Sequence, residues 1–490
     1  AIRSLLCVVL SFFAAHTHYS STNRRMGCGA SSQAKHAITL NKEVMIFQLG
    51  TNNWQSVEEP APGSGILHEA HHLAYNAMPG CHSYSVYPSA VHAENPGREK
   101  VKVAKLPHKI PICESVSPVS DKRWHSMSDA EIEEYLKRLE DLCYDQMALG
   151  ETETGKTYDF MIAHHCFLNQ IVLQRVNQKR VAEGKKKIPQ VAFCHGTALK
   201  MFNLEEKGDA EYPMRFKKMM EELKVFDDVQ AVVTISEDNK KMFLHHFPNF
   251  EPANVFVSMN GYNPLVFYKY PDTLQEGLSK FTTKTYEGSG VECQTIPGDK
   301  YQKMVLFVGK FADWKRLDMV LKAAKRYEAK YPDCCTVIAG TGQPGDVKYY
   351  HEMAFKELGL EKTYFVGAQM QPELARLCSI ANVGVFPSKS EPFGMVFIEC
   401  MACGTPVIGA NSGGPRDFVS EDVGFLIPDD ELSVPSTDKL VNDLFSAVCK
   451  ALDEDWKTTK GPNCHKLTER FSMNEQCAGI VDKLSDILKL

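Results

Sequence analysis

The sequence predicts an α/β protein built from two doubly wound parallel-sheet domains. Beyond residue 41, apolar segments alternate with segments of helical character, which is the pattern of a parallel sheet covered on both faces. The apolar segments fall into two sets separated by a polar stretch, and 490 residues are too many for one ordinary hydrophobic core.

The predicted strands are short apolar runs. The first set covers residues 44–47, 84–86, 160–163, 191–193, 231–233 and 255–257. The second set covers residues 306–308, 336–339, 364–366, 383–386 and 407–409. A polar insertion at about 95–157 interrupts the first set, and a capping box from Ser128 to Glu131 predicts that a helix begins within it.

These patterns divide the chain into five predicted segments. Residues 1–40 form a leader or disordered tail, and residues 41–267 form the first Rossmann-like domain. Residues 268–303, rich in Gly, Thr, Pro and charge, form a linker or surface insertion. Residues 304–468 form the second Rossmann-like domain, and residues 469–490 form a helix that is expected to cross back to the first.

Charge and cysteine patterns exclude some classes of function. The formal net charge of -6 offers no general attraction to nucleic acid, so no nucleic-acid partner is predicted. Cys194, Cys334, Cys335 and Cys400 lie in or beside apolar patterns and are interpreted as reduced core thiols. Cys400 and Cys403 have redox or zinc spacing, but no second pair completes four ligands, and no metal site is predicted.

The amino terminus carries two conflicting patterns. Residues 5–15 form an apolar run behind Arg3, as in a secretory signal. Residues 26–31 match the myristoylation pattern, with Gly27 as the acceptor and Cys28 placed for a second acyl chain. The interpretation favoured by the core thiols is a start at Met26 and a cytoplasmic protein whose acylated terminus associates with the cytosolic face of a membrane. The alternatives are a secreted protein and a disordered tail that is never acylated.

Two glutamates follow the strand predicted at 383–386. Glu391 and Glu399 are separated by seven residues, and the helix between them is expected to begin near Pro392 and end near Cys403. One interpretation assigns no function to this segment: it is an amphipathic helix with two solvated carboxylates.

A ligand-binding interpretation rests on the residues inside this segment. The free N–H groups of the first helical turn face outward beside Gly394, which has no side chain to block phosphate oxygens. Glu399 lies one turn after Met395, where a carboxylate can accept two hydrogen bonds from a ribose diol. The segment therefore predicts a nucleotide-sugar site.

Two cations follow the strand predicted at 306–308. Lys310 and Lys315 come after the turn at Gly309, and a helix is expected next because Leu317 and later apolar residues fall at helical spacing. Both lysines should therefore lie at or just beyond the carboxyl end of the strand, where ligands of open α/β sheets bind.

These motifs resemble glycosyltransferase family 4, whose members are retaining enzymes of the GT-B fold. The resemblance rests on Gly309-Lys310 with Lys315, on Glu391 and Glu399 around Pro-Phe-Gly, and on the later Gly413-Gly414-Pro415. It covers roughly residues 41 to 490 and is clearest in the second half. The family usually has Arg at the position of Lys310.

The resemblance implies roles for both domains, which face each other across a cleft. The second domain would bind the donor and the first the acceptor. The implied donor-binding residues are Gly309, Lys310, Lys315, Gly340, Gly342, Glu391, Phe393, Gly394, Met395 and Glu399. The implied catalytic residues are Glu391, His195, Lys315 and Lys310.

The first domain offers a weaker pattern and one histidine. Gly63, Ser64 and Gly65 form a Gly-rich turn into a helix and resemble the family's loop for phosphate or acceptor. His195 ends a strand and precedes a glycine, a position suited to chemistry, and in related enzymes such a His contacts the transferred sugar. The other candidate histidines are interpreted as structural or solvated; they are His68, His71, His72, His164 and His165.

The predicted function is retaining transfer of a hexose from a UDP- or GDP-sugar to a glycan, small sugar or glycolipid hydroxyl. The lysines and the helix terminus near Gly394 would stabilise the departing diphosphate, so no cofactor or metal is predicted. Glu391 would hold sugar hydroxyls and stabilise developing positive charge. A nucleotide-sugar epimerase and a non-catalytic nucleotide-sugar-binding protein are the alternatives.

Overall fold

The computed structural model describes residues 43–56, 63–110, 124, 127–165, 168–196, 226–429 and 437–490. The predicted acylation residues Gly27 and Cys28, and the whole segment 1–40, lie outside these ranges.

The first half of the chain forms a seven-stranded, all-parallel sheet in the order β3-β2-β1-β4-β5-β6-β7. Its strands are β1 (Val44–Leu49), β2 (Cys81–Ser89), β3 (Val101–Lys105), β4 (Phe160–His164), β5 (Gln190–Cys194), β6 (Val229–Thr234) and β7 (Val255–Val257). The order reverses direction between β1 and β4, so a crevice opens at their carboxyl ends.

Helices cover this sheet, as the parallel pairing requires. They are α1 (Gly63–Ala77), α2 (Asp129–Thr154), α3 (Leu168–Ala182) and α4 (Glu237–His246). Helix α2 begins with the predicted capping box: the Ser128 side chain accepts from the Glu131 N–H, and the Glu131 carboxylate accepts from the Ser128 N–H at 2.8 Å.

The second half forms a six-stranded parallel sheet in the order β10-β9-β8-β11-β12-β13. Its strands are β8 (Lys303–Val308), β9 (Cys334–Ala339), β10 (Thr363–Gly367), β11 (Val383–Phe386), β12 (Val407–Ala410) and β13 (Gly424–Ile427). Counted within the sheet this is the order 3-2-1-4-5-6 of dinucleotide-binding folds, with the reversal between β8 and β11.

The remaining helices belong to this half or follow it. They are α5 (Leu274–Leu278), α6 (Leu317–Lys330), α7 (Pro344–Glu352), α8 (Gln371–Ile380), α9 (Met395–Ala402), α10 (Thr437–Asp453), α11 (Trp456–Thr459), α12 (Gly461–Thr468) and α13 (Met473–Leu488). Helix α7 continues into one π-helical turn at Met353–Glu357.

The last helix packs on the first sheet's layer. Helix α13 contacts α1 and β6 and buries an apolar face that includes Ile480 and Leu484. The chain reaches it through a parallel bridge between Tyr262 and Ser472. A Cβ on Gly261 would lie 2.6 Å from the Met473 Cα, so glycine permits this close crossing.

Two edge strands of the structure, β3 and β13, were not predicted from the sequence. In β3, Val101, Val103 and Ala104 are buried, but Lys102 and Lys105 interrupt the apolar run, and the strand lies within the predicted polar insertion. The other missing strand, β13, begins at Gly424, whose Cβ would lie 2.1 Å from the Val407 carbonyl oxygen. An edge strand has one paired side only, so neither needs a long apolar run.

The described cysteines are free thiols, and all except Cys293 are buried. Cys194, Cys334, Cys335 and Cys400, which were interpreted as core thiols, are buried. In the part of the chain that the structure describes, no helix is both long enough and apolar enough to cross a membrane.

Candidate functional site

The crevice of the second sheet brings Lys315, one of the two predicted cations, next to Glu391. The segment after β8 contains Lys310 and a 3₁₀ turn, Asp313–Lys315, and the segment after β11 leads into Glu391. The Lys389 N–H donates to the Trp314 carbonyl oxygen at 2.7 Å and ties the two segments to each other. Both lysines lie beyond the carboxyl end of β8, as predicted from the sequence.

Lys315 and Glu391 form an ion pair. The Lys315 Nζ lies 2.6 Å from the Glu391 Oε2, and the two side chains are 22% and 13% exposed. This distance is that of a charge-assisted hydrogen bond. The lysine assigned to the diphosphate and the glutamate assigned to the sugar are therefore direct neighbours.

A second, buried ion pair supports the segment that carries Lys315. Arg316 donates to both Asp429 oxygens, at 2.7 and 3.1 Å, and both residues are buried. The Arg316 backbone is left-handed at φ 54°, a cost that this fork of hydrogen bonds offsets. Sequence reasoning missed this pair; the only sequence signal was a second cation directly after Lys315.

Glu391 lies in an extended segment held against two glycines. Glu391 forms a parallel bridge with Gly413, and the Gly414 N–H donates to the Glu391 carbonyl oxygen at 2.8 Å. A Cβ on Gly413 would lie 2.2 Å from that oxygen, so a side chain there would displace Glu391. The Ser390 N–H donates to the Ser412 Oγ at 2.7 Å, which fixes the other end of the segment.

Helix α9 begins at Met395, three residues later than predicted. The chain turns at Ser390, pairs with Gly413 at Glu391 and turns again at Gly394, whose φ of 100° favours glycine. A Cβ on Gly394 would also lie 2.8 Å from the Phe397 ring. The Phe393 ring is buried against Phe418, with ring centroids 5.2 Å apart, so any donor contact by Phe393 would use its backbone.

Glu399 lies one turn inside α9. No hydrogen-bond or ion-pair partner for its carboxyl group is found among the described residues. The residue retains partial exposure, yet the surrounding protein desolvates its carboxyl group and raises the pKa to about 7. A desolvated carboxyl group without a protein partner is typical of a side chain that binds a polar ligand.

The other predicted donor-binding glycines are explained by close packing. A Cβ on Gly340 would lie 1.8 Å from the Gly309 carbonyl oxygen, and one on Gly342 would lie 2.9 Å from atoms of Phe311. These glycines therefore let the segment after β9 lie against the turn that leads to Lys310. The Lys310 Nζ lies 6.0 Å from the centre of the Trp314 ring.

In the first domain, His195 ends a chain of buried hydrogen bonds. The Gln48 Nε2 donates to the Ser83 Oγ at 2.6 Å, which turns the Gln48 Oε1 towards the His164 Nε2 at 2.8 Å. The His164 Nδ1 in turn lies 3.0 Å from the His195 Nε2. Burial lowers the pKa values of His164 and His195 well below the ordinary range, so both rings are neutral. The His195 ring also stacks on Phe193, with centroids 4.3 Å apart.

With the Gln48 amide assigned in this orientation, the two neutral histidine rings have one arrangement of protons. Because the Gln48 Oε1 accepts, the His164 Nε2 carries a proton and its Nδ1 accepts. The His195 Nε2 therefore donates, and its Nδ1 presents a lone pair. That Nδ1 is buried and has no hydrogen-bond partner among the described residues. His195 is thus prepared to accept a hydrogen bond.

Most of the other candidate histidines are structural. His68, His71, His72 and His164 are buried, and His165 is partly buried, so none has the solvated environment that was one of the two interpretations. His68 accepts from the Trp54 Nε1–H at 2.9 Å. His164 is hydrogen-bonded to His195, a contact that sequence reasoning missed.

The Gly-rich turn lies at the start of α1. Gly63 is exposed, with no atom within 4 Å of a built Cβ, and Gly65 is buried. Ser64 accepts from the Asn52 Nδ2 at 2.6 Å, which ties the turn to the segment after β1. Residues 57–62, the rest of this loop, lie outside the described ranges.

The two domains touch beside Glu391. The Pro392 carbonyl oxygen accepts from the Ser236 Oγ at 2.9 Å and from the Asn239 Nδ2 at 3.2 Å. A Cβ on Gly196 would lie 2.6 Å from the Pro392 Cβ, so the residue after His195 must be small. The His195 segment of one domain therefore meets the Glu391 segment of the other. The described part of the chain contains no group of three or more His, Cys, Asp or Glu side chains that could hold a metal ion.

Residues 294–448, which include all six strands of the second sheet, match the family model described as glycosyl transferases group 1. An uncharacterized glycosyltransferase of Methanocaldococcus jannaschii is 32% identical over 209 residues, which cover 42% of this chain and 48% of that protein. D-inositol 3-phosphate glycosyltransferase of Mycobacterium marinum is 28% identical over 271 residues, covering 54% of this chain and 51% of that protein. The chain spans about half the length of these curated relatives.

Solved structures share the whole architecture. Sucrose-phosphate synthase from Thermosynechococcus elongatus matches with a TM-score of 0.61 at 18% identity, over 91% of this chain and 99% of that one. HepE of Anabaena, in complex with UDP and glucose, matches with a TM-score of 0.58 at 15% identity, over 91% of this chain and 100% of that one. The second domain therefore matches the group 1 glycosyl transferases over residues 294–448, and the two Rossmann-like domains form the GT-B fold.

Proposed function

We propose that this protein transfers a hexose from a nucleotide diphosphate sugar to an acceptor hydroxyl with retention of anomeric configuration. The observation that carries the proposal is the Lys315–Glu391 pair at the crevice of the second sheet, in a segment that contacts the residue after His195. A cation for the leaving group, a carboxylate for the sugar and an acceptor atom on the opposite domain are the elements that such a transfer needs.

The donor's nucleotide half fits the second domain. Lys310, Lys315 and the N–H groups beyond Gly394 would stabilise the diphosphate by electrostatic attraction and hydrogen bonding. The unpartnered Glu399 carboxylate would accept hydrogen bonds from the ribose diol. The solved complex of HepE with UDP and glucose, in the same fold, supports a UDP-sugar as the first donor to test.

The sugar end would lie between Glu391 and His195. The His195 Nδ1 would accept a hydrogen bond from a sugar hydroxyl, since Gln48 and His164 hold its lone pair free. When the diphosphate reaches Lys315, it would compete with Glu391 for the ammonium group. Lys315 would then neutralise less of the negative charge on the Glu391 carboxylate. The carboxylate could therefore stabilise the positive charge that develops on the sugar ring in the transition state.

A donor and acceptor screen tests the proposal. UDP- and GDP-hexoses are incubated with candidate glycans, inositol phosphates and glycolipids, with and without EDTA, and products are identified by mass and anomeric configuration. We expect nucleoside diphosphate release only with an acceptor, a retained anomeric configuration, and activity that survives EDTA.

Three outcomes would count against the proposal. An epimerised donor formed without acceptor would identify an epimerase, and tight donor binding without any product would identify a binding protein. Activity lost with chelator and restored by Mn²⁺ would show that the diphosphate charge is not neutralised by the two lysines and the helix terminus.

A further inference from the structure

A second cavity lies at the opposite end of helix α9 from Gly394. It has a volume of about 540 Å³, and the residues that line it include Lys269, Gly404, Lys457, Gly461 and His465. This volume is within the range of sites that bind small molecules. None of these residues takes part in the crevice around Lys315 and Glu391.

Lys457 is a half-buried cation without a carboxylate partner among the described residues. Its Nζ donates to the Ser379 carbonyl oxygen at 2.8 Å and to the Thr405 hydroxyl. An ammonium group has three N–H donors, so one remains for a ligand. Within the described ranges no Asp or Glu lies within ion-pair distance of this ammonium group, and burial lowers the pKa of Lys457 to about 8.

Lys269 adds a second positive charge to the same cavity. It is exposed, and the residues that the structure describes offer it no ion pair. Its charge opposes that of Lys457 and contributes to the lowered pKa of that group. A half-buried ammonium group and an exposed one therefore line the same cavity, and neither has a counter-ion among the described residues. An anion in the cavity would balance their charge.

Two glycines shape the wall between the cations. A Cβ on Gly461 would lie 2.7 Å from the Gly404 carbonyl oxygen, so the backbones of these residues are in direct contact. Gly461 is also the first residue of α12, where the helix dipole adds a partial positive charge. His465, one turn further along α12, donates from its Nδ1 to the Ala402 carbonyl oxygen at 3.1 Å and thereby joins the cavity wall to α9.

We propose that this cavity binds a phosphate group through Lys269 and Lys457, as free phosphate or as part of a small phosphorylated metabolite. The two cations match the charge of a phosphate monoester, and the cavity volume leaves room for an attached organic group. The inference does not depend on the proposed transfer reaction, because the donor crevice contributes none of the lining residues.

Calorimetric titration tests the proposal on the full chain at constant ionic strength, with inorganic phosphate and a hexose monophosphate as probes. Lys269→Met should weaken phosphate binding by about tenfold or more, the scale of one lost charge-assisted interaction, and Lys457→Met should abolish it. Lys300→Met is the matched control, because Lys300 is an exposed lysine of the same linker that does not line the cavity. Lys315→Met separates this site from the donor crevice, because phosphate binding at the cavity should remain after this change.

The titrations show whether the cavity binds phosphate and whether its ligand is the free ion or a phosphorylated metabolite. Tighter binding of the hexose monophosphate identifies a metabolite site, and equal binding identifies the phosphate ion itself as the ligand. Absence of binding at millimolar phosphate, or binding that Lys315→Met removes and Lys269→Met does not, overturns the proposal. If Lys457→Met fails to fold, the exposed Lys269→Met still decides, since its side chain carries no packing role in the core.

Discussion

At the scale of residues, the Lys315–Glu391 ion pair separates the roles proposed for the two glutamates. Glu391→Gln removes a charge whose attraction to the sugar grows towards the transition state, so kcat should fall by about one to three powers of ten. The same change releases Lys315 from its partner, so UDP affinity in calorimetry should stay unchanged or rise.

Glu399→Gln is the matched comparison. It removes a charged acceptor whose hydrogen bonds to ribose would be equal in ground and transition states, a loss of about 1.5–3 kcal/mol. We expect a raised donor KM with kcat little changed. Two variants that weaken donor binding equally with kcat intact would refute the charge-stabilising role of Glu391.

The pKa of Glu399 predicts how donor binding depends on pH. The ribose diol donates to the ionised carboxylate, so donor binding should favour the form present above pH 7. Donor KM should therefore fall as pH rises from about 6 to 8, approaching a tenfold change per unit on the acid side. In Glu399→Gln this slope should disappear, and a slope that persists would assign the titration to another group.

The raised pKa of Glu399 has the opposite pH dependence for stability: the free energy of unfolding falls as pH rises, whereas donor binding improves. Between the ordinary carboxyl pKa of 4.5 and the folded pKa of about 7, the folded state holds a proton that the unfolded chain has lost. This contribution to the free energy of unfolding is complete below the lower value and disappears as pH rises through the higher one. Glu399→Gln should therefore stabilise the ligand-free protein at pH 8 more than at pH 5, as measured by thermal unfolding.

Gln48 is proposed to position His195 through His164. Gln48→Leu removes the acceptor that sets both ring tautomers, and it should lower kcat by about tenfold to a hundredfold, as when a partner that orients a functional His is removed. UDP affinity should not change, because UDP lacks the transferred hexose that His195 is proposed to contact. Gln48→Glu keeps an acceptor and should restore activity with a shifted pH profile. If Gln48→Glu restores stability but not activity, the role of Gln48 is purely structural.

At the scale of elements, the Arg316–Asp429 pair connects the Lys315 turn to the end of β13. Asp429→Asn leaves a buried guanidinium without its counter-ion, and the free energy of unfolding should fall by about 3–5 kcal/mol in denaturant titration. Asp443→Asn, which breaks an exposed i,i+4 pair with Lys439, is the control and should cost less than about 1 kcal/mol. Equal effects would show that the buried pair contributes little.

The sequence predicts elements better than it predicts the contacts between them. The central strands were predicted because both their faces are buried and their residues are apolar, whereas β3 and β13 lie at sheet edges and lack that signal. Lys310, Lys315 and Glu391 could be placed at strand ends from local patterns. The Arg316–Asp429 pair could not, because its members are 113 residues apart and only the strand order brings them together.

At the scale of the whole molecule, α13 supplies a layer of the first domain from the end of the second. Deletion of residues 469–490 would expose the apolar surfaces of α1 and β6. The first domain should therefore lose protection in hydrogen exchange, while the strands of the second sheet keep theirs. Loss confined to the second sheet would mean that α13 does not stabilise the first domain.

This crossing helix also has a consequence for biosynthesis. The first domain precedes the second on the ribosome, yet its covering layer is not complete until residue 488 has emerged. During translation the nascent first sheet would therefore present an uncovered apolar face for as long as the whole second domain takes to be made. Chaperones that shield such surfaces should bind the nascent chain throughout that interval and leave only when α13 docks.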